Sequence, residues 1–302
     1  MAVEVVQQRN RTRAPKMNNE AYVFLLPAFA LLTVFVIIPI LYAANISVQD
    51  LNLYKKSAYV GFRNYYIILT DPFFTQSLVA GLKFAVDVVP AMFILAFLLA
   101  IIVKKMGKRS SSFAKSAIYV PTVISGIIAS VIFMFIYSYQ GGVLNYLIGI
   151  VGLDPVAWIN DTKTAMWSIA IPGIWLWLGT TTLIMLAGLN DIPLEYYEAA
   201  DMDGANAWVK MWNITIPSMR NVFIYLLITS INTAMQEFNI PFLVTEGGPL
   251  SLTTTPPLYI FNHFRHDPFL GQAIAAALIM FVLLGTISIV IFKLINSQQS
   301  LD

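Results

Sequence analysis

Few side chains in this 302-residue sequence are of types that do covalent or acid–base chemistry, and their spacing narrows the field further. Cysteine is absent, which removes thiolate nucleophiles, iron–sulfur ligation and Cys-type zinc sites. The two histidines, His263 and His266, flank no carboxylate cluster, so neither a metal centre nor a nucleophile–base constellation is expected. No G-x-x-x-x-G-K-[ST] phosphate loop occurs, so the chain cannot hydrolyse ATP by itself. Three ionisable groups inside long apolar stretches remain. Lys83 and Asp87 stand at i and i+4, where they could neutralise one another on one helix face or relay a proton. Glu237 is a carboxylate able to accept hydrogen bonds from hydroxyl groups, or to serve as a structural acceptor near the end of its stretch.

The elements that must position these groups follow from composition. Hydrophobic residues make up 58% and charged residues 11%, against about 25% charged in an ordinary soluble domain. Mean hydropathy is +0.72. A disordered chain and a disulfide scaffold are excluded, and a net charge of +2 leaves no footprint for nucleic acid. Six stretches are apolar enough to cross a hydrocarbon core, which takes about 20 residues: Ala21–Ala44, Leu78–Val103, Ala117–Ser138, Trp167–Leu189, Val222–Val244 and Gln272–Ile295. None alternates with period 2, so each is expected to be a helix and the fold an all-α polytopic membrane protein. Pro90 and Pro241 predict kinks. The first stretch exceeds a signal peptide's apolar region and is expected to stay as an anchor behind a cytoplasmic tail over residues 1–20. Twelve of the 18 Lys and Arg fall on one side, at Arg9, Arg11, Arg13, Lys16, Lys104, Lys105, Lys108, Arg109, Lys115, Lys210, Arg220 and Lys293. Both termini are therefore expected in the cytoplasm.

The fourth connection, residues 191–217, lies on that side yet is rich in acid. Asp191 and Pro193 suit the start of a helix, and Glu195 and Glu198 favour its positive end. Gly204 permits the left-handed backbone that ends it, and a second helix is expected from about Ala205 to Ala207. Trp208, Met211 and Trp212 then share one face, with Pro217 marking the way back to the membrane.

Glu198-Ala199-Ala200, three residues, Gly204, nine residues and Ile214-Thr215-Ile216-Pro217 resemble the EAA loop of permeases in binding-protein-dependent ABC importers. Leu is usual in that pattern where Ile216 stands here. Gly61-Phe62-Arg63-Asn64-Tyr65, Pro121-Thr122-Val123-Ile124-Ser125-Gly126 and Thr245-Glu246-Gly247-Gly248-Pro249 are similar to the maltose-type carbohydrate branch, in its minimal six-helix form. The resemblance implies one permease subunit of a heterodimer in the cytoplasmic membrane of a bacterium or archaeon, over residues 21–302. It implies two cytoplasmic ATPase subunits that bind ATP and Mg, an extracytoplasmic sugar-binding protein, no cofactor or metal in this chain, and alternating access. The coupling residues it implies are Glu198, Ala199, Ala200, Asp203, Gly204, Ala205, Ile214 and Pro217. An ion-coupled secondary transporter using Lys83, Asp87 and Glu237 is the alternative, and it leaves the EAA loop unexplained.

A sugar path needs hydroxyl partners and an apolar ring face. Gly173, Leu176, Trp177 and Thr180 share one face of the fourth stretch; Ser230, Thr233, Ala234 and Glu237 repeat the spacing on the fifth. The resemblance places the path on these two stretches, with Trp177 alternatively a packing residue.

Overall fold

The computed structural model describes residues 19–51, 57–266 and 269–296. The chain falls into two units, Met1–Ile46 and Ser47–Asp302. In the first, α1 (Asn19–Leu32) passes through a π-helical turn at Thr33–Ile37 into α2 (Ile38–Ser47). Arg9, Arg11, Arg13 and Lys16 lie outside the described residues.

The second unit opens on a short antiparallel pair, β1 (Gln49–Asp50) and β2 (Ala58–Tyr59), with Gln49 opposite Tyr59. The helix α3 (Arg63–Thr70) leads to α4 (Pro72–Lys105). The Asp71 carboxylate accepts from the Phe73 amide at 2.9 Å, and Pro72 fills a first position that needs no amide donor. The 34 residues of α4 rise about 51 Å, more than a hydrocarbon core of roughly 30 Å. The helix continues through Pro90 without a break.

The expected third span is two helices, α5 (Lys108–Val123) and α6 (Gly126–Tyr137), bent by 92°. Pro121 removes an amide donor in the last turn of α5, Ile124 and Ser125 turn extended, and the Ser125 hydroxyl accepts from the Ile127 amide at 3.3 Å to start α6. A hydropathy window averages over such a break.

A connection containing α7 (Val143–Ile150) leads to α8 (Ala165–Asn190). Buried Asn145 braces it: its amide nitrogen reaches the carbonyls of Ser138, Tyr139 and Val156, and its oxygen accepts from the Val156 amide at 3.0 Å and the Trp158 indole at 2.8 Å.

Beyond α8 come α9 (Leu194–Met202), α10 (Ala207–Lys210), a π-helical turn at Met211–Thr215, α11 (Ile216–Ser218) and α12 (Arg220–Met235). The fifth span was expected to reach Val244, but α12 ends at Met235. The chain is non-helical at Glu237 and Phe238 and coils again ahead of a turn at Pro241–Thr245. Ile240 stays right-handed helical ahead of Pro241, but Pro241 has no amide to offer the Glu237 carbonyl one turn upstream, which accepts from Thr255 instead, and the break falls there. The chain ends in α13 (Pro256–His266) and α14 (Leu270–Asn296). Among the described residues four helices are long and apolar enough to cross a membrane, or six if each of two bent pairs is one span.

The core is built chiefly where α4 lies along α8, with α5 on the far side of α8 and α12 against α4. Small residues make the approach possible: Ala80, Ala85, Ala96 and Ala100 of α4 are buried. Gly179 of α8 sits so close to α5 that an added Cβ would lie 2.5 Å from the Ile118 carbonyl oxygen. There the Thr122 hydroxyl donates to the Leu176 carbonyl at 3.0 Å, a polar tie between apolar helices.

Candidate functional site

Two places on the second unit carry polar groups that packing does not consume. The first is the bend between α9 and α10. Asp191, still helical at φ −77°, closes α8 rather than capping α9, and Pro193 takes the capping position instead. Glu195 lies in the first turn of α9. The helix ends in a Schellman arrangement: the Ala205 amide donates to the Ala200 carbonyl at 2.8 Å, the Gly204 amide to the Asp201 carbonyl at 3.1 Å, and Gly204 has φ +73°. A Cβ at Gly204 would meet nothing within 4 Å, so its backbone angle, and not space, demands glycine.

Asn206 then caps α10, its side chain accepting from the Val209 amide at 3.0 Å. Lys210 reaches back to pair with Asp201 at 2.6 Å, and the Tyr197 hydroxyl shares a hydrogen bond of 2.9 Å with Thr215. Glu198, Ala199, Asp203 and Pro217 are exposed, while Ala200, Ala205 and Ile214 are half-buried. Trp208 and Trp212 pack edge-on at 5.6 Å but stay 70% and 52% exposed, Met211 is half-buried, and Met202 is 89% exposed. These exposed apolar side chains share the bend with four exposed acids, Glu195, Glu198, Asp201 and Asp203.

The second place is a cavity of about 220 Å³ between α8 and α12, closed by Met92 of α4. It brings together Trp177, Thr180, Ser230 and Thr233 of the residues proposed from spacing, and adds Thr181, Ile184, Tyr225, Leu226 and Thr229. Thr181 and Thr229 spend their hydroxyls on carbonyls one turn back, Thr181 on Trp177 at 3.0 Å and Thr229 on Tyr225 at 2.8 Å. The hydroxyls of Thr180, Ser230 and Thr233 have no partner among the described residues, and no ionisable carboxylate, Lys or Arg lines the cavity. The other residues proposed from spacing lie elsewhere. Gly173 backs onto the Phe84 ring, and an added Cβ would stand 3.2 Å from it; Leu176 and Ala234 are buried in the core.

Glu237 lies away from the cavity: its carboxylate accepts from the Ile240 amide at 3.0 Å, and its carbonyl accepts from Thr255 at 2.7 Å. It stitches the break after α12. Lys83 is exposed, Asp87 is half-buried, and the two form no ion pair, so no relay is assembled from them. His263 is half-buried and stacks on Tyr259 with ring centres 4.6 Å apart; the His266 side chain lies outside the described residues. Among the described residues no group of three or more His, Asp or Glu gathers as a metal site.

Residues 89–300 match the family model described as binding-protein-dependent transport system inner membrane component. The chain is 30% identical over 273 residues to the trehalose/maltose transport system permease protein MalF of Thermococcus litoralis, covering 90% of this chain and 92% of that one. It is 32% identical over 276 residues to the lactose transport system permease protein LacF of Rhizobium radiobacter, again covering 90% and 92%. Its fold is similar to a chain in the crystal structure of a bacterial ABC transporter involved in the import of the acidic polysaccharide alginate. The TM-score is 0.79 at 20% identity, over 92% of this chain and 95% of that one. A second structure of a bacterial alginate ABC transporter, in complex with an alginate pentasaccharide-bound periplasmic protein, gives 0.74 at 21% identity, over 92% and 93%.

Proposed function

Because the chain belongs to the family of binding-protein-dependent transport system inner membrane components, we propose that it is one of two permease subunits of an ATP-driven ABC importer whose cargo is a neutral carbohydrate. The observation that carries the cargo is the cavity between α8 and α12, where the free hydroxyls of Thr180, Ser230 and Thr233 stand beside Trp177 and Tyr225. A pyranose presents hydroxyls and an apolar C–H face, and this lining answers both without a fixed charge. The names of the relatives, trehalose/maltose and lactose permeases, support the same class.

The cavity holds about 220 Å³, below the roughly 300 Å³ at which small-molecule pockets begin. A second permease subunit opposite would supply the rest of the wall. The exposed patch at the α9–α10 bend would take one of two ATPase subunits, with Glu198 as ionic contact and Ala199, Ala200, Asp203, Gly204, Ala205, Ile214 and Pro217 setting the approach. Those ATPases would bind ATP and Mg, and an extracytoplasmic sugar-binding protein would deliver cargo at the far end of α8. Lys104 and Lys105 end α4 beside the bend, so the excess of basic residues supports a cytoplasmic bend and cytoplasmic termini. Alternating access follows if closure of the ATPases tilts α8 and α12 about the cavity.

The complex in proteoliposomes, assayed with its binding protein and radiolabelled maltose, trehalose and galacturonate, tests this. Uptake of a neutral sugar that requires ATP is expected. Uptake driven by an imposed ion gradient without ATP would overturn the mechanism, and preference for the uronate would overturn the cargo class.

A further inference from the structure

One basic residue on the inner side does more than mark orientation. Lys104, in the last turn of α4, donates to the Leu189 carbonyl near the end of α8 at 2.5 Å, and its ammonium lies 5.7 Å from the ring centre of Tyr197 in α9. Lys104 is exposed like its neighbours Lys105 and Lys108, but those two make no hydrogen bond or ion pair among the described residues. The carbonyls of a last helical turn have no intrahelical donor and carry the negative end of the dipole. A single ammonium therefore sits where the carboxyl-terminal ends of α4 and α8 converge, with an aromatic face as its third neighbour.

Tyr197 is placed to load that contact. Its hydroxyl bonds Thr215 at 2.9 Å, and the Thr215 hydroxyl also lies 3.3 Å from the Lys210 carbonyl. Tyr197 thus joins the helix before the bend to the segment after it, and its ring lies against the Lys104 ammonium. From Lys104 to Met92 is about 18 Å along α4, and from Leu189 to Thr181 about 12 Å along α8. There Thr181 meets the Met92 sulfur at 3.5 Å, and both line the cavity.

We infer that Lys104 is the positioning residue that transmits movement of the α9–α10 bend to the cavity, through Leu189 on one side and Tyr197 on the other. Its role is mechanical: it touches neither cargo nor nucleotide. The inference rests on the proposed docking of an ATPase at the bend.

The absence of cysteine in this chain offers a cargo-free test. Ile184→Cys and Tyr225→Cys place one thiol on each wall of the cavity, and a bifunctional maleimide reports their spacing in the full complex with cysteine-free partners. With Lys104 present, trapping by Mg-ATP and vanadate is expected to change the cross-linking rate about fivefold or more. In Lys104→Met the change should vanish while ATP hydrolysis and complex assembly persist. Lys104→Arg should restore it, and Lys105→Met should leave it untouched. Tyr197→Phe, which keeps the ring and loses the Thr215 bond, should give a reduced change.

The same nucleotide-dependent change in Lys104→Met as in the parent would overturn the inference and leave the proposed function standing. So would loss of assembly in Lys104→Met, which would make Lys104 a folding contact. A parent complex that binds no ATPase would overturn both.

Discussion

Substitution of Gly204 by valine perturbs one backbone angle and almost nothing else. No atom lies within 4 Å of the new Cβ, so the cost is that of holding a β-branched residue at φ +73°, which is about 1–2 kcal/mol. What holds the bend is of similar size. Two Schellman hydrogen bonds contribute about 1 kcal/mol each, and the solvent-exposed Lys210–Asp201 pair contributes about 0–1 kcal/mol. The strain consumes from about a third to nearly all of that: the ratio of formed to unformed bend should drop about fivefold to thirtyfold, leaving from about half to nearly all of the molecules with a formed bend. ATP-driven uptake in proteoliposomes, normalised to the amount of complex, should fall in proportion, while ATP hydrolysis persists or loses its dependence on the binding protein. Gly204→Asn is the decisive partner, because asparagine visits the left-handed region readily; it should retain most uptake. Equal uptake by the valine and asparagine variants, or an equal loss in both, would refute the claim that the angle matters and not the volume.

Three further outcomes follow from distances already given. Ser230→Ala and Thr233→Val each remove one unpartnered cavity hydroxyl and should weaken cargo affinity by about 0.5–1.5 kcal/mol, read as a raised KM for uptake; Glu237→Gln should leave KM unchanged, since its amide oxygen still accepts from the Ile240 amide. Gly179→Ala forces a Cβ to within 2.5 Å of the Ile118 carbonyl oxygen and should cost about 1–3 kcal/mol, seen as a lower Tm of the detergent-solubilised protein. Trp208→Ser with Trp212→Ser strips the apolar patch at the bend and should weaken capture of the purified ATPase subunit by about 2 kcal/mol or more, measured by surface binding in detergent.

How much of this was legible from residue order depends on what each signal averages over. Long apolar runs mark helices because a bilayer tolerates little else, so α8 and α14 could be read within two residues of their ends, whereas α4 begins six residues ahead of its apolar run, at Pro72. The Gly204 bend was legible for another reason: a left-handed backbone admits few residues, and Gly204 stands between a helix of acids and an Asn cap. The break at Ile124–Ser125 was hidden, since the run stays largely apolar across it; the one after Met235 was not, for Gln236, Glu237 and Asn239 interrupt the run ahead of Pro241. At Glu237 the two readings offered, acceptor for hydroxyl groups or structural acceptor near the end of the stretch, differ in local context: a carboxylate three residues before an amide at the start of a turn is a local cap.

Helical spacing on α8 picked a face that the cavity shares only in part. The cavity takes the edge from Trp177 through Thr180 and Thr181 to Ile184, while Gly173 and Leu176 turn toward the packed side. Which edge of a mostly apolar helix faces a void depends on neighbours far away in sequence, here Met92 and Tyr225. Lys104 was read for its charge alone, because its partners lie on α8 and α9.

The brace at Asn145 gives the two ends of α8 different mechanical characters. One side chain gathers Ser138, Tyr139, Val156 and Trp158 into a single knot, whereas the bend at the other end hangs on a few exposed bonds. A protein that docks on the knotted end meets a template already cast, so little ordering entropy is lost there and encounter is limited by orientation and charge. Compliance is concentrated at the other end. Amide exchange at Val156, which donates to Asn145, should be slow and insensitive to nucleotide, while the amides of 194–215 should change with nucleotide once an ATPase is bound.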